Sequence, residues 1–294
     1  MIHTFLRSIG FSELHQNKEL YQLLDDVIRN PDERAMDQDT CGNEIACFIK
    51  YVENDMGICV CGSFPEETQF QMEYYFPFLR GSSITTMEPA EIERHASSES
   101  FFGICDELKM GIPLIFYVNN VADVFREYRH NRQCLLSNNT VLSALACNGK
   151  ILLPIMKTKE MAAIKQKSSK KRMDLMMQAR DGDRSAMENL TLRDMDLYSS
   201  VSQRAMKEDI LSIVESSIVP YGVETDQYTI IGEILNYYMV KNVITRENIW
   251  ILTLLCNDMK FDVCISEKDL LGEPETGRRF KGRVWMQGYL NFGY

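Results

Sequence analysis

Residues 278–285 read Arg-Arg-Phe-Lys-Gly-Arg-Val-Trp, and cationic side chains alternate with apolar or small ones along this stretch. Successive side chains of a β-strand point to opposite faces of its sheet. The alternation therefore predicts a strand that carries Arg279, Lys281 and Arg283 on one face. The residues between these cations would point to the opposite face.

The sequence around this strand predicts a small β-barrel or a curled sheet. Residues 208–294 contain four or five strand-like runs, separated by loops such as those at 220–226 and 272–277. Short strands at this close spacing are typical of small barrels. We therefore predict a β-rich, barrel-like domain over residues 208–294.

Cations and aromatic residues together on such a barrel predict a binding surface for anions. Oligonucleotide-binding barrels combine a positive groove with aromatic side chains that stack on bases. We therefore expect Arg279, Lys281, Arg283 and Trp285 to bind an anionic ligand or single-stranded nucleic acid. The alternative is that the cations neutralise nearby acidic side chains, namely those of Glu267, Asp269, Glu273 and Glu275.

The distribution of charge along the chain indicates three segments. The chain has 294 residues and a net charge of −10, and its 45% apolar and 25% charged residues exclude a disordered protein. Residues 1–156 carry a net charge of −10, residues 157–181 carry +5 and residues 182–294 carry −5. The predicted organisation is an α+β domain over 1–156, a helical connector over 157–207 and the barrel-like domain.

The first 156 residues contain two units with a similar order of elements: a strand or short helix, then a helix, then a hairpin. In the first unit, residues 2–11 predict a strand or short helix, and a helix begins near Asn17. The strand-like runs within 44–64 predict a hairpin, and a further strand follows at 70–79. The similarity between the units is one of element order only.

The second unit begins with a predicted strand at residues 112–118, followed by a helix at 121–128. Apolar runs within 140–156 flank Asn148-Gly149, a pair that favours the tight turn of a hairpin. Both strands of this hairpin are apolar on both faces, so we expect them to be buried. The polar stretch before this unit, residues 85–100, predicts a short helix and a loop.

The connector, residues 157–207, is rich in Lys, Met, Gln, Ala and Arg. We predict two helices, of which the first is ended by Gly182 and the second begins near Ser185 or Thr191. The basic run at 165–172 either contacts phosphates or forms the solvated face of a helix.

The nine cysteines indicate free thiols in a reducing compartment. Their number is odd, and most of them lie inside apolar runs, as Cys47 does. Cys59 and Cys61 share one face of a predicted strand, which is a poor start for a tetrahedral zinc site. The longest apolar run, residues 249–256, is much shorter than the roughly 20 residues of a membrane span. We therefore expect a cytoplasmic protein with no metal or other cofactor.

Signatures of catalysis are absent from the sequence. It contains no phosphate-binding, dinucleotide-binding, serine hydrolase or zinc protease motif. The four histidines lie on separate predicted elements, without partners at metal-ligand spacing. The sequence therefore favours a non-enzymatic protein over an enzyme.

The element order of residues 1–156 resembles that of the glyoxalase-like (vicinal-oxygen-chelate) enzymes, which take metal ligands from the first and last strands of each module. The resemblance implies His3 and Glu73 as a metal pair on those strands of the first unit. The second unit departs from this pattern, because its matching strands at 112–118 and 151–155 supply no His, Glu or Gln. A fold of this kind would therefore lack the metal.

Four stretches of the chain resemble a bacterial family that is described as a domain of unknown function. They are FLRSIGF at 5–11, GIPLIFY at 111–117, PYG at 220–222 with Tyr228, and GRRFKG at 277–282 with WMQG at 285–288. This likeness spans nearly the whole chain. It implies a cytoplasmic protein and supplies no catalytic residues.

These observations leave three function hypotheses. The first, which we favour, is a non-enzymatic binding or regulatory protein that uses the cationic face of the barrel. The second is a glyoxalase-like enzyme, or its metal-free descendant, with a pocket in the N-terminal domain. The third is a structural protein that binds a partner or a second copy through its methionine-rich connector.

Overall fold

The computed structural model describes residues 2–38, 44–64, 69–95, 100–107, 110, 112–130, 135–155, 159–223 and 225–293. These residues form helices and strands in the mixed arrangement of the predicted α+β class. Among them, none of the helices combines the length and the apolar character that crossing a membrane requires.

The N-terminal elements form a four-stranded antiparallel sheet, against which helix α1 packs. In chain order they are a 3-10 helix (Thr4–Ile9), α1 (Asn17–Arg29), β1 (Glu33–Gln38), β2 (Glu44–Glu53), β3 (Met56–Ser63) and β4 (Gln71–Leu79). The strands lie in the order β1-β2-β3-β4. Helix α1 buries Leu20, Leu24 and Val27, which share one helical face and pack towards β2 and β3. The predicted first hairpin is confirmed by the pairing of β2 with β3.

The described elements that follow form a ten-stranded sheet and a helical hairpin. They are β5 (Ala90–Arg94), β6 (Phe101–Cys105), β7 (Leu114–Val118), α2 (Val121–His130), β8 (Asn139–Leu152), α3 (Lys159–Arg180), α4 (Arg184–Ala205), α5 (Ile210–Ile213), β9 (Ser217–Pro220), β10 (Gln227–Lys241), β11 (Asn248–Cys256), β12 (Met259–Ser266), β13 (Leu270–Leu271) and β14 (Arg279–Asn291).

Five of these strands close into a barrel, in the order β8-β12-β11-β10-β14, because β14 pairs back onto β8. The β8–β14 pairing runs from Asn139 opposite Asn291 to Leu152 opposite Arg279. The small barrel is thus confirmed, and it includes a strand from before the connector. Strands from both sides of residue 156 share this barrel. The division of the chain into three domains stays a prediction.

The predicted second hairpin is wrong, since Asn148 and Gly149 lie inside the continuous strand β8. Gly149 lies directly opposite Gly282 of β14, and the buried ring of Phe280 packs against both glycines. A Cβ atom on Gly149 would lie 2.3 Å from Cε2 of Phe280. Glycine at this position therefore allows a close approach within the barrel, which is a common role of strand glycines.

Two further expectations are corrected by the structure. The helix predicted within residues 85–100 is replaced by β5, whose buried Ala90 and Ile92 alternate with exposed residues. In the connector, Gly182 follows the end of α3, as predicted, and its backbone adopts the left-handed conformation. The N-cap of α4 is Asp183 and not Ser185, because the Asp183 carboxylate accepts hydrogen bonds from backbone N–H groups at the start of the helix.

The N-terminal 3-10 helix packs against the barrel through hydrogen bonds and an ion pair. Ser8 donates a hydrogen bond to the carbonyl of Ala146 on β8 at 2.8 Å. Arg7 donates two hydrogen bonds to the Asp269 carboxylate, at 2.6 and 2.5 Å. These contacts attach the N-terminal elements to the barrel, and one continuous set of buried apolar residues extends through both sheets.

The close packing of Phe280 on the glycine pair predicts a stability effect. The variant Gly149→Ala should lower the free energy of unfolding by about 1–3 kcal/mol, because the new methyl group collides with the ring. The same substitution made in a Phe280→Leu chain should cost less, since the ring is gone. Urea denaturation of the four proteins measures both effects. Equal costs of Gly149→Ala in the two backgrounds would contradict this packing.

Candidate functional site

The four predicted binding residues lie on β14, and the structure divides them into two pairs. Arg279 and Trp285, near the ends of the predicted stretch, are buried. Lys281 and Arg283, between them, are partly exposed on the outer face of the barrel. The structure therefore brings Lys281 and Arg283 together at the surface. Arg279 and Trp285 have other contacts, inside the protein.

Arg279 joins two separate chain segments through its guanidinium group. Its Nε and Nη2 atoms donate to the carbonyl of Leu153 at 3.0 and 2.9 Å, and its Nη1 atom donates to the carbonyl of Val214 at 2.5 Å. Burial lowers the pKa of Arg279. These bonds hold the end of β8 against the segment that precedes β9, so Arg279 has a structural role here.

Trp285 packs in an aromatic cluster between the N-terminal elements and the barrel. Its ring centroid lies 4.7 Å from that of His3 and 4.9 Å from that of Tyr117. Its indole N–H donates to the carboxylate of Asp226 at 2.7 Å. Because the ring is buried among these partners, it offers no open face for stacking against a base.

Lys281 and Arg283 line a surface pocket of about 300 Å³ together with a third cation, Lys150. Lys150 on β8 lies directly opposite Lys281 on β14. Among the residues that the structure describes, neither ammonium group has a carboxylate partner. Thr229, Tyr221 and Asn148 add polar groups to the wall of the pocket. The register of the closed barrel thus places three cations around one cavity.

Arg283 is held in a fixed orientation at this pocket. Its Nε and Nη2 atoms donate to Oε1 of Gln227 at 3.0 and 2.6 Å. Its guanidinium carbon lies 4.1 Å from the ring centroid of Tyr221, a distance that suits a cation–π contact. This arrangement leaves Nη1 without a hydrogen-bond partner in the described part of the chain.

Three of the four acidic residues that could have neutralised these cations have other partners. Asp269 pairs with Arg7, and Glu275 pairs with Arg278 at 2.6 Å. Glu267 accepts a hydrogen bond from Asn248 at 2.9 Å. The positive charge of the pocket is therefore not balanced by these three carboxylates.

Lys150 was missed by the sequence analysis. A turn at Asn148-Gly149 would have placed Lys150 in a separate hairpin, away from Lys281. The only sequence signal that could have found it is the apolar character of residues 140–152, which also fits one long buried strand.

A comparison with family models gives one match, which covers nearly the whole chain. The model described as "Domain of unknown function, E. rectale Gene description (DUF3881)" matches residues 6–288. The chain belongs to this family. The resemblance identified from four sequence stretches is thereby confirmed. No curated protein and no solved structure matches the chain.

His3 and Glu73 lie on different kinds of element, so the expectation that His3 belongs to a first strand is wrong. His3 caps the 3-10 helix, where its Nδ1 atom accepts the N–H of Phe5 at 3.4 Å. Burial lowers the pKa of His3 to about 4, so the imidazole is neutral at neutral pH. Glu73 is exposed on β4 and accepts a hydrogen bond from Ser63 at 2.6 Å. A metal bound by these two residues stays a prediction from resemblance.

The basic run at 165–172 lies on α3, and the structure describes only some of its side chains. Among these, Arg172 forms an ion pair with Asp194 of α4. Farther along α3, Arg180 lies 3.8 Å from the carboxylate of Glu88. These pairs show that part of the positive charge of α3 contacts acidic neighbours within the chain.

The different surroundings of two neighbouring arginines give a prediction. The variant Arg279→Gln should lower the free energy of unfolding by about 2 kcal/mol or more, because it removes three charge-assisted hydrogen bonds made by a buried guanidinium group. The matched variant Arg278→Gln should change it by only about 0–1 kcal/mol, since Arg278 forms a partly exposed ion pair. Denaturation in urea compares the two proteins. Similar small losses in both would show that Arg279 has no structural role.

Proposed function

We propose that the protein is a non-enzymatic binding protein whose barrel takes a small phosphorylated ligand in the cationic pocket. The observation that carries this proposal is the position of Lys150 directly opposite Lys281, with Arg283 at the same pocket. Like charges directly opposite each other destabilise a sheet. A phosphate group bound between them would offset this repulsion and accept charge-assisted hydrogen bonds from all three cations.

The size and the walls of the pocket favour a small ligand over single-stranded nucleic acid. A volume of about 300 Å³ is at the lower end of the range for small-molecule sites. Nucleic-acid binding without sequence preference uses aromatic faces on which bases stack. Here Arg283 covers a face of Tyr221, and Trp285 is buried. The pocket is therefore better suited to a phosphate group than to a row of bases.

The chemistry of the pocket favours binding over catalysis. The described residues that line it include no histidine, cysteine, aspartate or glutamate. These side chains supply most nucleophiles and general acids or bases in enzymes. We also propose that the protein acts in the cytoplasm, and its unpaired described cysteines support a reducing environment.

The alternative of an interaction protein is favoured by one observation on the connector. Helix α4 exposes Leu192, Met195 and Tyr198, which are more than half accessible to solvent. Exposed apolar side chains on one helix are typical of surfaces that bind protein partners. This second candidate involves a different part of the molecule and is compatible with an anion pocket in the barrel.

Calorimetric titration of the full chain with inorganic phosphate and with pyrophosphate tests the proposed ligand. Both should bind, and Lys150→Gln, Lys281→Gln or Arg283→Gln should each weaken binding by about 10- to 100-fold, because each removes a charge-assisted contact. The matched control is Lys260→Gln, which removes an exposed lysine from β12, outside the pocket.

Two results would overturn the proposal of an anion site, and a third would overturn the assignment of a small ligand. One is the absence of binding by either anion at low salt, and the other is equal binding by the pocket variants and the Lys260→Gln control. A single-stranded oligonucleotide is titrated in parallel at low and moderate salt. If it binds more tightly than pyrophosphate, with a steep loss of affinity in salt, the ligand is a nucleic acid and the small-ligand assignment is wrong.

A further inference from the structure

Three buried thiols meet in the N-terminal sheet, far in sequence from the cationic pocket. Cys47 on β2 lies directly opposite Cys61 on β3, and Cys59 is two residues before Cys61 on the same strand. The Sγ atoms of Cys47 and Cys61 are 2.8 Å apart, and those of Cys59 and Cys61 are 3.5 Å apart. All three Sγ atoms lie within 4.8 Å of one another.

We propose that Cys47, Cys59 and Cys61 bind one monovalent copper ion through their three sulfur atoms. Thiolate sulfur is a soft ligand that selects thiophilic ions such as Cu(I). The period-two alternation of β3 gives Cys59 and Cys61 the same face, and the register with β2 brings Cys47 to that face. Two neighbouring strands therefore supply all three ligands.

The ligand set favours Cu(I) over zinc. Structural zinc sites use four ligands drawn from cysteine sulfur, histidine nitrogen and carboxylate oxygen. In the described part of the chain, the group that could hold an ion contains three cysteines and no histidine, aspartate or glutamate. Each of the three cysteines is at most 5% exposed, so the site has little access to water as a fourth ligand.

The three thiols also differ from an ordinary buried cysteine of this chain. The thiol of Cys256 donates to the carbonyls of Ser217 and Ile231, as a cysteine does when it only packs in a core. The thiols of Cys47, Cys59 and Cys61 instead have one another as hydrogen-bond partners. Binding of the ion would replace thiol protons, which would be released to the solvent.

The experiment uses the full chain, purified under reducing and oxygen-free conditions and titrated with Cu(I) against a chromophoric Cu(I) chelator. One ion per chain should be retained. Cys47→Ser, Cys59→Ser and Cys61→Ser should each lower the affinity by about tenfold or more, since even loss of a group that only orients a ligand has effects of this size. The matched control, Cys264→Ser, changes a buried cysteine of β12 and should keep the affinity of the parent protein.

X-ray absorption at the copper edge of the unmodified protein should show three sulfur neighbours, and this readout does not depend on the folding of any variant. Failure of the reduced parent chain to retain Cu(I) would overturn the proposal. So would equal retention by the Cys59→Ser variant, or nitrogen or oxygen ligands in the absorption spectrum. A disulfide between Cys47 and Cys61 that persists under the reducing conditions of the purification would also overturn it.

Discussion

The pairing of β8 with β14 is the constraint on which the rest of the structure depends. It closes the barrel, and closure pairs the edges of β8 and β14 that would otherwise be open to another chain. A shift of one residue in this pairing would turn every side chain to the opposite face. The ring of Phe280 over Gly149 and Gly282 opposes such a shift, because only glycine leaves room for it. The same register places Lys150 opposite Lys281.

Buried contacts near both ends of the cationic stretch hold its middle in place. Arg279 is fixed by backbone carbonyls, and Trp285 is fixed by an aromatic cluster and Asp226. Lys281 and Arg283 therefore project from a strand whose backbone is anchored on either side. A binding site on a rigid strand loses less conformational entropy when a ligand binds than a site on a loop. Arg279 and Trp285, which the sequence predicts as ligand contacts, thus position the strand that carries Lys281 and Arg283.

The sequence was sufficient for several elements whose signal was local. The alternation at 278–285 predicted the strand, and apolar spacing predicted the helix α1 that packs against the N-terminal sheet. The sequence was insufficient where contacts with a distant segment determine the local structure. Asn148-Gly149 favours a turn in the local sequence. In the structure, however, the ring of Phe280, which follows the connector in the sequence, packs closely against Gly149 inside a strand. Lys150 was therefore hidden, and so was the third thiol of the cysteine cluster, whose position depends on the register of a hairpin.

The anion site at Lys150 and Lys281 is tested most directly by the free energy of unfolding, measured with and without pyrophosphate. The proteins compared are the parent chain, Lys150→Gln, Lys281→Gln and the double variant. Without the anion, each single variant should be about 0.2–1 kcal/mol more stable than the parent, because it relieves a cross-strand repulsion, and the second substitution should add little. With pyrophosphate, the parent should become the most stable of the four proteins, since it alone retains all the ligand contacts. Additive effects of the two substitutions, unchanged by pyrophosphate, would contradict the claim that barrel closure builds an anion site.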